Sequence, residues 1–288
     1  MRLRLDLSYD GTAFRGWARQ PGLRTVQGTL EDALARVLGS DPRLVVAGRT
    51  DSGVHATGQV AHLDLDEAQV ARLSQHRAQA EASDALLARR VNGALGAYSD
   101  VTIRSSAVAP EGFDARFSAV WRRYEYRIAD ASAGYDPLER HRTTNVRTRL
   151  DEQAMDAAAR SLVGLHDFAA YCKPREGATT IRTLLDFAWR RDGRGILEAQ
   201  VRADAFCHSM VRALVGACVA VGEGRLAVDD VQRIRDDGLR TPDVTVLAAR
   251  GLTLTEVGYP ADDLLALRAE QTRARRDADD GRIGGSER

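Results

Sequence analysis

Lysine is almost missing from this chain. Of its 41 basic residues only Lys173 is not arginine. Arginine suits bidentate phosphate contacts and stacking on bases, although GC-rich codon usage accounts for most of such an excess. Net charge is missing too: 41 basic residues balance 41 acidic ones, which argues against a dedicated nucleic-acid scaffold. The balance is uneven along the chain, since residues 229–288 hold ten Arg against thirteen Asp plus Glu and the remainder carries the matching positive excess. No run approaches the ~20 apolar residues that cross a bilayer, so no membrane association is expected. Cysteine is scarce, with Cys172, Cys207 and Cys218 in odd number and without a CxxC pair. A disulfide framework is therefore not expected, and free thiols in a reducing compartment fit better. A zinc site built from Cys172, Cys207, His166 and His208 lacks ligand spacing, because two of these are chain neighbours. No metal is expected.

What is present is an ordinary globular composition, 288 residues with 44% hydrophobic, enough for one large domain or two small ones. The start alternates as Leu3, Leu5, Leu7 and Tyr9, which predicts a first strand rather than a signal peptide, and the expected location is the cytoplasm. Thr25 opens a helix over 26–38 whose apolar positions share one face, and Gly39 closes it. Strands are predicted at 44–47, 59–64, 101–104, near 121–128, 182–191 and 196–202, and at 251–257. Residues 67–93 have a helical pattern, and further helices are predicted near 151–163, 206–222 and 228–237. Each half mixes several strands with one or two helices, which predicts an α+β architecture. The boundaries expected are 1–108, 109–262 and a disordered tail over 263–288.

The segment Gly48-Arg49-Thr50-Asp51-Ser52-Gly53-Val54-His55 directly follows an apolar strand. Two glycines bracket the acid and permit a sharp loop, and a carboxylate at a strand end is well placed to act on a ligand. On the residues alone two readings stand level, a catalytic Asp51 or an aspartate that caps a turn with Ser52 and Gly53. In Arg122-Arg123-Tyr124-Glu125-Tyr126-Arg127 the two tyrosines share one face of a strand. They either stack an unpaired base beside arginines or fill the core. Arg212 lies at the edge of the apolar stripe formed by Phe206, Met210, Val211, Leu214 and Val215. It is either exposed or paired with a carboxylate, for which Asp51 is a candidate.

Taken together, the sequence closely resembles the tRNA pseudouridine synthase A family over most of residues 3–260. The resemblance rests on Tyr9-Asp10-Gly11 with Phe14 and Gly16-Trp17, on Thr25 through Gly28 with Leu30-Glu31, and on Ala47 through Ala56 with Gly58-Gln59-Val60. It continues through Phe113–Ser118, Arg123-Tyr124 with Tyr126, His166-Asp167-Phe168, Arg182-Thr183, Phe206, His208, Met210-Val211-Arg212, Gly216, Gly251-Leu252 and Tyr259-Pro260. It implies the pseudouridine synthase fold, a mixed, mostly antiparallel sheet flanked by helices in two similar halves. The activity implied is isomerisation of uridine to pseudouridine at positions 38, 39 and 40 in the anticodon stem-loop of tRNAs, by a homodimer that uses no cofactor. Carried over residue by residue, Asp51 is the catalytic aspartate and Arg49 a basic residue that helps hold the target base flipped out. Tyr124 is the tyrosine that stacks on that base, and Arg212 the arginine that pairs with the carboxylate.

The chain departs from the family pattern in places. Ser52 stands where many members have alanine, and Arg212-Ala213 where Arg-Asn is frequent. Residues 64–90 are rich in Ala, Arg and Glu, Asn92-Gly93-Ala94-Leu95-Gly96 lacks a proline, and the loop 130–149 carries Arg140, His141, Arg142, Arg147 and Arg149 without a tryptophan. Two rival readings are a metal hydrolase using Asp51 and His55, and a non-catalytic RNA-binding factor on the same fold.

Overall fold

The computed structural model describes residues 1–74, 83–175 and 179–283. Among them are ten strands and seven α-helices, an α+β protein with a mixed, mostly antiparallel sheet. The chain divides into two compact units. The first holds Met1–Val120 together with Glu256–Arg276, and the second is centred on Trp121–Thr255.

In the first unit the order is β1 (Arg2–Tyr9), α1 (Val26–Leu38), β2 (Val45–Val46), β3 (His55–Asp64), α2 (Glu67–Ser74), α3 (Ser83–Leu95) and β4 (Val101–Val108). The alternation of β1 places Leu3, Leu5, Leu7 and Tyr9 in the core and the intervening residues outward, the two-residue period of a strand with one buried face. It pairs antiparallel with β3, Leu5 opposite Ala61, and with β4 on its other edge. The expected helix 26–38 forms as read. The Thr25 hydroxyl accepts from Gly28 N–H at 3.2 Å, and Gly39 ends the helix in the left-handed conformation. Within the helical pattern read over 67–93 the described residues form α2 and α3, and residues 75–82 lie outside the described residues. Asn92 ties α3 to β4 by exchanging two hydrogen bonds with the backbone of Ile103.

The second unit runs β5 (Trp121–Ala129), β6 (Thr144–Asn145), α4 (Glu152–Ser161), β7 (Gly164–Asp167), β8 (Ile181–Arg191), β9 (Leu197–Ala203), α5 (Met210–Gly222) and α6 (Asp230–Asp237). Its strands lie in the order β5-β9-β8-β7, all antiparallel, with β6 added parallel to β5. Every residue of α5 is buried except Arg212, so this helix is apolar nearly all round and occupies the centre of the unit. Gly216 lets it approach the chain closely, because a Cβ there would lie 1.8 Å from the Thr245 carbonyl oxygen. The chain then forms β10 (Leu252–Gly258) and α7 (Leu265–Ile283).

Three expectations need correction. The tail predicted from residue 263 is helical over Leu265–Ile283; Leu265 and Ala269 are buried, and Arg273 pairs with Asp114 at 2.7 Å. Residues 284–288 lie outside the described residues. The helix read from 206 starts at Met210, because Ser209 sits at φ 64°, outside the helical region. Cys172 and Cys207, read as free thiols, are joined as a disulfide with Cα atoms 5.8 Å apart. A hydrogen bond from Lys173 N–H to the His208 carbonyl lays the two segments side by side. Cys218 is free and buried.

Candidate active site

Asp51 lies in a loop between β2 and β3, half-buried between exposed Arg49 and Ser52. The loop is fixed by main-chain bonds on both sides of the acid. Just before it, the Thr50 carbonyl accepts from Trp17 N–H at 3.0 Å. Just after it, the Phe14 carbonyl accepts from the Ser52 hydroxyl at 3.2 Å and from Gly53 N–H at 3.3 Å. Within the loop, Val54 N–H returns to the Asp51 carbonyl at 3.2 Å, and Gly53 adopts φ 79°, a conformation that glycine enters without strain.

The residues 11–17 form a backing behind this loop. Gly11 sits so close that a Cβ would lie 2.0 Å from the Val54 carbonyl oxygen. Gly16, at φ +92°, faces Thr50 O and Ser52 N at 3.1 and 3.3 Å from its virtual Cβ. Phe14 and Trp17 are buried and keep water from the back of the loop. Below, Tyr9 Oη and Thr50 Oγ1 share a hydrogen bond of 2.8 Å. Gln59, fully buried, donates to Tyr9 Oη and to the Gly48 carbonyl at 3.2 and 2.9 Å. Burial pushes the Tyr9 phenol up to about 12, so it is neutral at physiological pH and acts as a structural bridge. The result is a carboxylate on a short loop whose neighbours on either side are anchored, the pre-organisation that a reacting group needs.

The hydrolase reading gains no support from His55. Its ring is buried and its Nδ1 accepts from Gly11 N–H at 3.0 Å. Among the described residues no three His, Cys, Asp or Glu side chains converge as a ligand set.

In the second unit, Tyr124 and Tyr126 occupy the same face of β5, as the alternation implies. Tyr124 is 8% exposed and meets Phe206 edge-on, with ring centroids 5.1 Å apart. Tyr126 is a core residue: its hydroxyl donates to the Ala248 carbonyl at 2.7 Å, and burial pushes it up to about 12. Arg212 is the half-exposed residue of α5, and its Nε donates to the Leu247 carbonyl at 2.5 Å. Leu247 N–H returns to the Arg212 carbonyl at 3.2 Å, so the segment around 247 and the first turn of α5 hold each other. The structure thus brings Arg49 and Asp51 together on one loop of the first unit, and places Tyr124 and Arg212 in the second. The reading from sequence singled out the loop but gave no role to Phe14, Gly16 and Trp17; their signal is the pair of glycines flanking large aromatics within seven residues.

The class of enzyme to which this α+β fold belongs is made explicit by related chains. A family model described as tRNA pseudouridine synthase matches residues 158–260. Among curated relatives, tRNA pseudouridine synthase A of Leifsonia xyli subsp. xyli is 62% identical over 281 residues, covering 96% of this chain and 97% of that protein. The proteins of the same name from Frankia casuarinae and Streptomyces griseus subsp. griseus are 57% and 54% identical. Each match covers 95% of this chain, and 95% and 93% of the respective relative. The chain is therefore a tRNA pseudouridine synthase, an isomerase that converts uridine in tRNA. Within that class it belongs to the tRNA pseudouridine synthase A family.

Proposed function

We propose that the enzyme isomerises uridines 38, 39 and 40 in the anticodon stem-loop of tRNAs, with Asp51 as its catalytic carboxylate. The observation that carries the assignment of Asp51 is the anchoring of Thr50, Ser52 and Gly53 around it by Trp17 and Phe14. The reaction detaches uracil from C1′ at N1, turns it, and rejoins it through C5. The atoms balance without a redox partner or energy source, and neither cofactor nor metal is assigned to it. The target base must first leave its stack, which costs a few kcal/mol; Arg49 and Tyr124 offset that cost, Arg49 in the stem and Tyr124 against the base. The Asp51 carboxylate then either attacks C1′ as positive charge develops there or takes a proton from the sugar. The resemblance assigns Arg212 the role of charge partner to that carboxylate. A homodimer working in the cytoplasm completes the proposal, and no helix among the described residues is long and apolar enough to cross a membrane.

The test is tritium release from tRNA carrying [5-³H]uridine, since the hydrogen on C5 is lost when that carbon joins the sugar. Asp51→Asn is expected to bind tRNA like the parent and to release no tritium. Appreciable turnover in that variant would end the assignment. Tyr124→Phe keeps the ring and is expected to retain binding; a near-normal rate removes its hydroxyl from proton transfer. Mapping the modified positions on single tRNAs checks the choice of site, and light scattering checks the dimer.

A further inference from the structure

The backing behind the Asp51 loop is itself clamped from outside. Arg24 lies just before the capping residue of α1, and its guanidinium covers the Phe14 ring at 4.2 Å from the centroid. Its two terminal nitrogens meet the two carboxylate oxygens of Asp100 at 2.6 and 2.7 Å, a parallel bidentate pair. The main chain joins the same cluster. Arg15 N–H donates to the Arg24 carbonyl at 2.9 Å, and Asp10 N–H donates to the Asp100 carbonyl at 2.9 Å. Residues 24 and 100 therefore hold the segment 10–15 at both ends through their main chains, and the paired Arg24 side chain covers Phe14 between them. Phe14 is 1% exposed, and its carbonyl is the acceptor for both residues that follow Asp51. A shift of Phe14 displaces the acceptor that holds Ser52 and Gly53, the two residues that follow Asp51.

We infer that Arg24 and Asp100 are positioning residues for the isomerisation, acting through Phe14 on the loop that carries Asp51. This rests on the assignment of Asp51 as the catalytic carboxylate. Arg24 acts through the ring it covers and through the carbonyl of that same residue. Asp100 fixes the plane of the guanidinium, which a lysine could not present in the same way.

Because Arg24 is about half exposed and the substrate is a polyanion, the competing role for it is a phosphate contact. The two roles predict opposite patterns. Arg24→Lys keeps the charge for a phosphate but loses the flat stack and the paired bonds. Asp100→Asn removes a negative charge and makes the surface more attractive to RNA. As positioning residues, both substitutions lower kcat for tritium release on the order of tenfold, the scale on which small misplacements act, while Kd for tRNA changes by less than about twofold. The double variant should be no slower than the slower single one, since both break one device. Binding of tRNA with unchanged Kd and stoichiometry reports that each variant is folded. The inference is overturned if kcat stays within twofold of the parent in either variant. It is equally overturned if Arg24→Lys is silent while Arg24→Ala weakens Kd and lowers its salt dependence. Asp51→Asn is measured alongside: activity there removes the carboxylate assignment, whereas an inactive Asp51→Asn with a normal Asp100→Asn removes only the clamp.

Discussion

Gly11 and Gly16 set the tightest requirement on the loop that carries Asp51. Any side chain at 11 meets the Val54 carbonyl, which has no alternative position while His55 is held from the same glycine's N–H. At 16 the positive φ strains any side chain, and a Cβ would crowd the Thr50 carbonyl oxygen and the Ser52 nitrogen at 3.1 and 3.3 Å. Gly11→Ala must move the loop by a sizeable fraction of an ångström, so turnover is expected to fall more than tenfold and stability by about 1–3 kcal/mol. Tritium release and thermal melting measure the two effects; parental turnover in a folded Gly11→Ala variant would show that the loop is not held from behind. The loop around Asp51 was legible in sequence because its setting is local: an apolar strand, then an acid between two glycines, a pattern that by itself left catalysis and turn-capping level. The residues behind it were not legible as a group. Arg24 and Asp100 are 76 positions apart, and nothing near either one announces the other. The pairing of Cys172 with Cys207 was hidden for the same reason, since their separation of 35 carries no spacing signature.

Elements with a strong period were read correctly: the alternation of β1, the one-sided stripe of α1, and the apolar run of α5 all give the right type of element. Those missed have little period to show. β7 is four residues long with Leu165 exposed, and α7 presents few apolar side chains among many charges. In the second unit, long-range ion pairs do work that no local pattern displays. Asp130 at the end of β5 is buried and accepts from both terminal nitrogens of Arg191, at 3.1 and 2.6 Å, and from the N–H groups of Ser132, Ala133 and Leu150. It thereby anchors both ends of the arginine-bearing loop 131–149. Burial opposes the charge, but Arg191 and these donors outweigh it and hold the carboxyl down to about 2. Glu139 in the same loop is also held at about 2, chiefly by Arg142. For both acids the folded value lies below the unfolded one. Their contribution is therefore complete above about pH 4–5 and lost as pH falls through about 2. For Asp130 it is worth about 2 kcal/mol. Melting temperature should be flat in this respect above about pH 5 and decline below it. Asp130→Asn should start lower and lose part of that acid decline; a variant with the parent's full acid slope would show that the buried pair is not its source.

At the scale of the molecule, the first unit is not complete until the chain comes back to it. Residues 109–120, expected in the second half, belong with the first unit, and so does the stretch from 256 to 276. The return is secured by α7, which a composition of Ala, Arg and Asp made look like a tail. Leu265 and Ala269 are buried, the Leu265 carbonyl accepts from the Ser118 hydroxyl at 3.1 Å, and Arg273 reaches Asp114. Gly112, at φ +74°, leaves room for the helix, since a Cβ there would meet Ala266. Asp114 in turn accepts from the N–H groups of Arg116 and Phe117, and Ala115 N–H donates to His62 Nδ1 on β3. The helix thus closes a turn that is fastened to the strand leading out of the Asp51 loop. A chain ending at residue 262 exposes one leucine-sized apolar contact and leaves Asp114 without its arginine, an expected loss of about 2–4 kcal/mol. The measurement is a denaturant titration of the truncated chain beside the full one. An unchanged midpoint would mean that α7 is a tail after all. A lowered midpoint with tRNA binding retained would show that the last helix braces the first unit without touching the substrate.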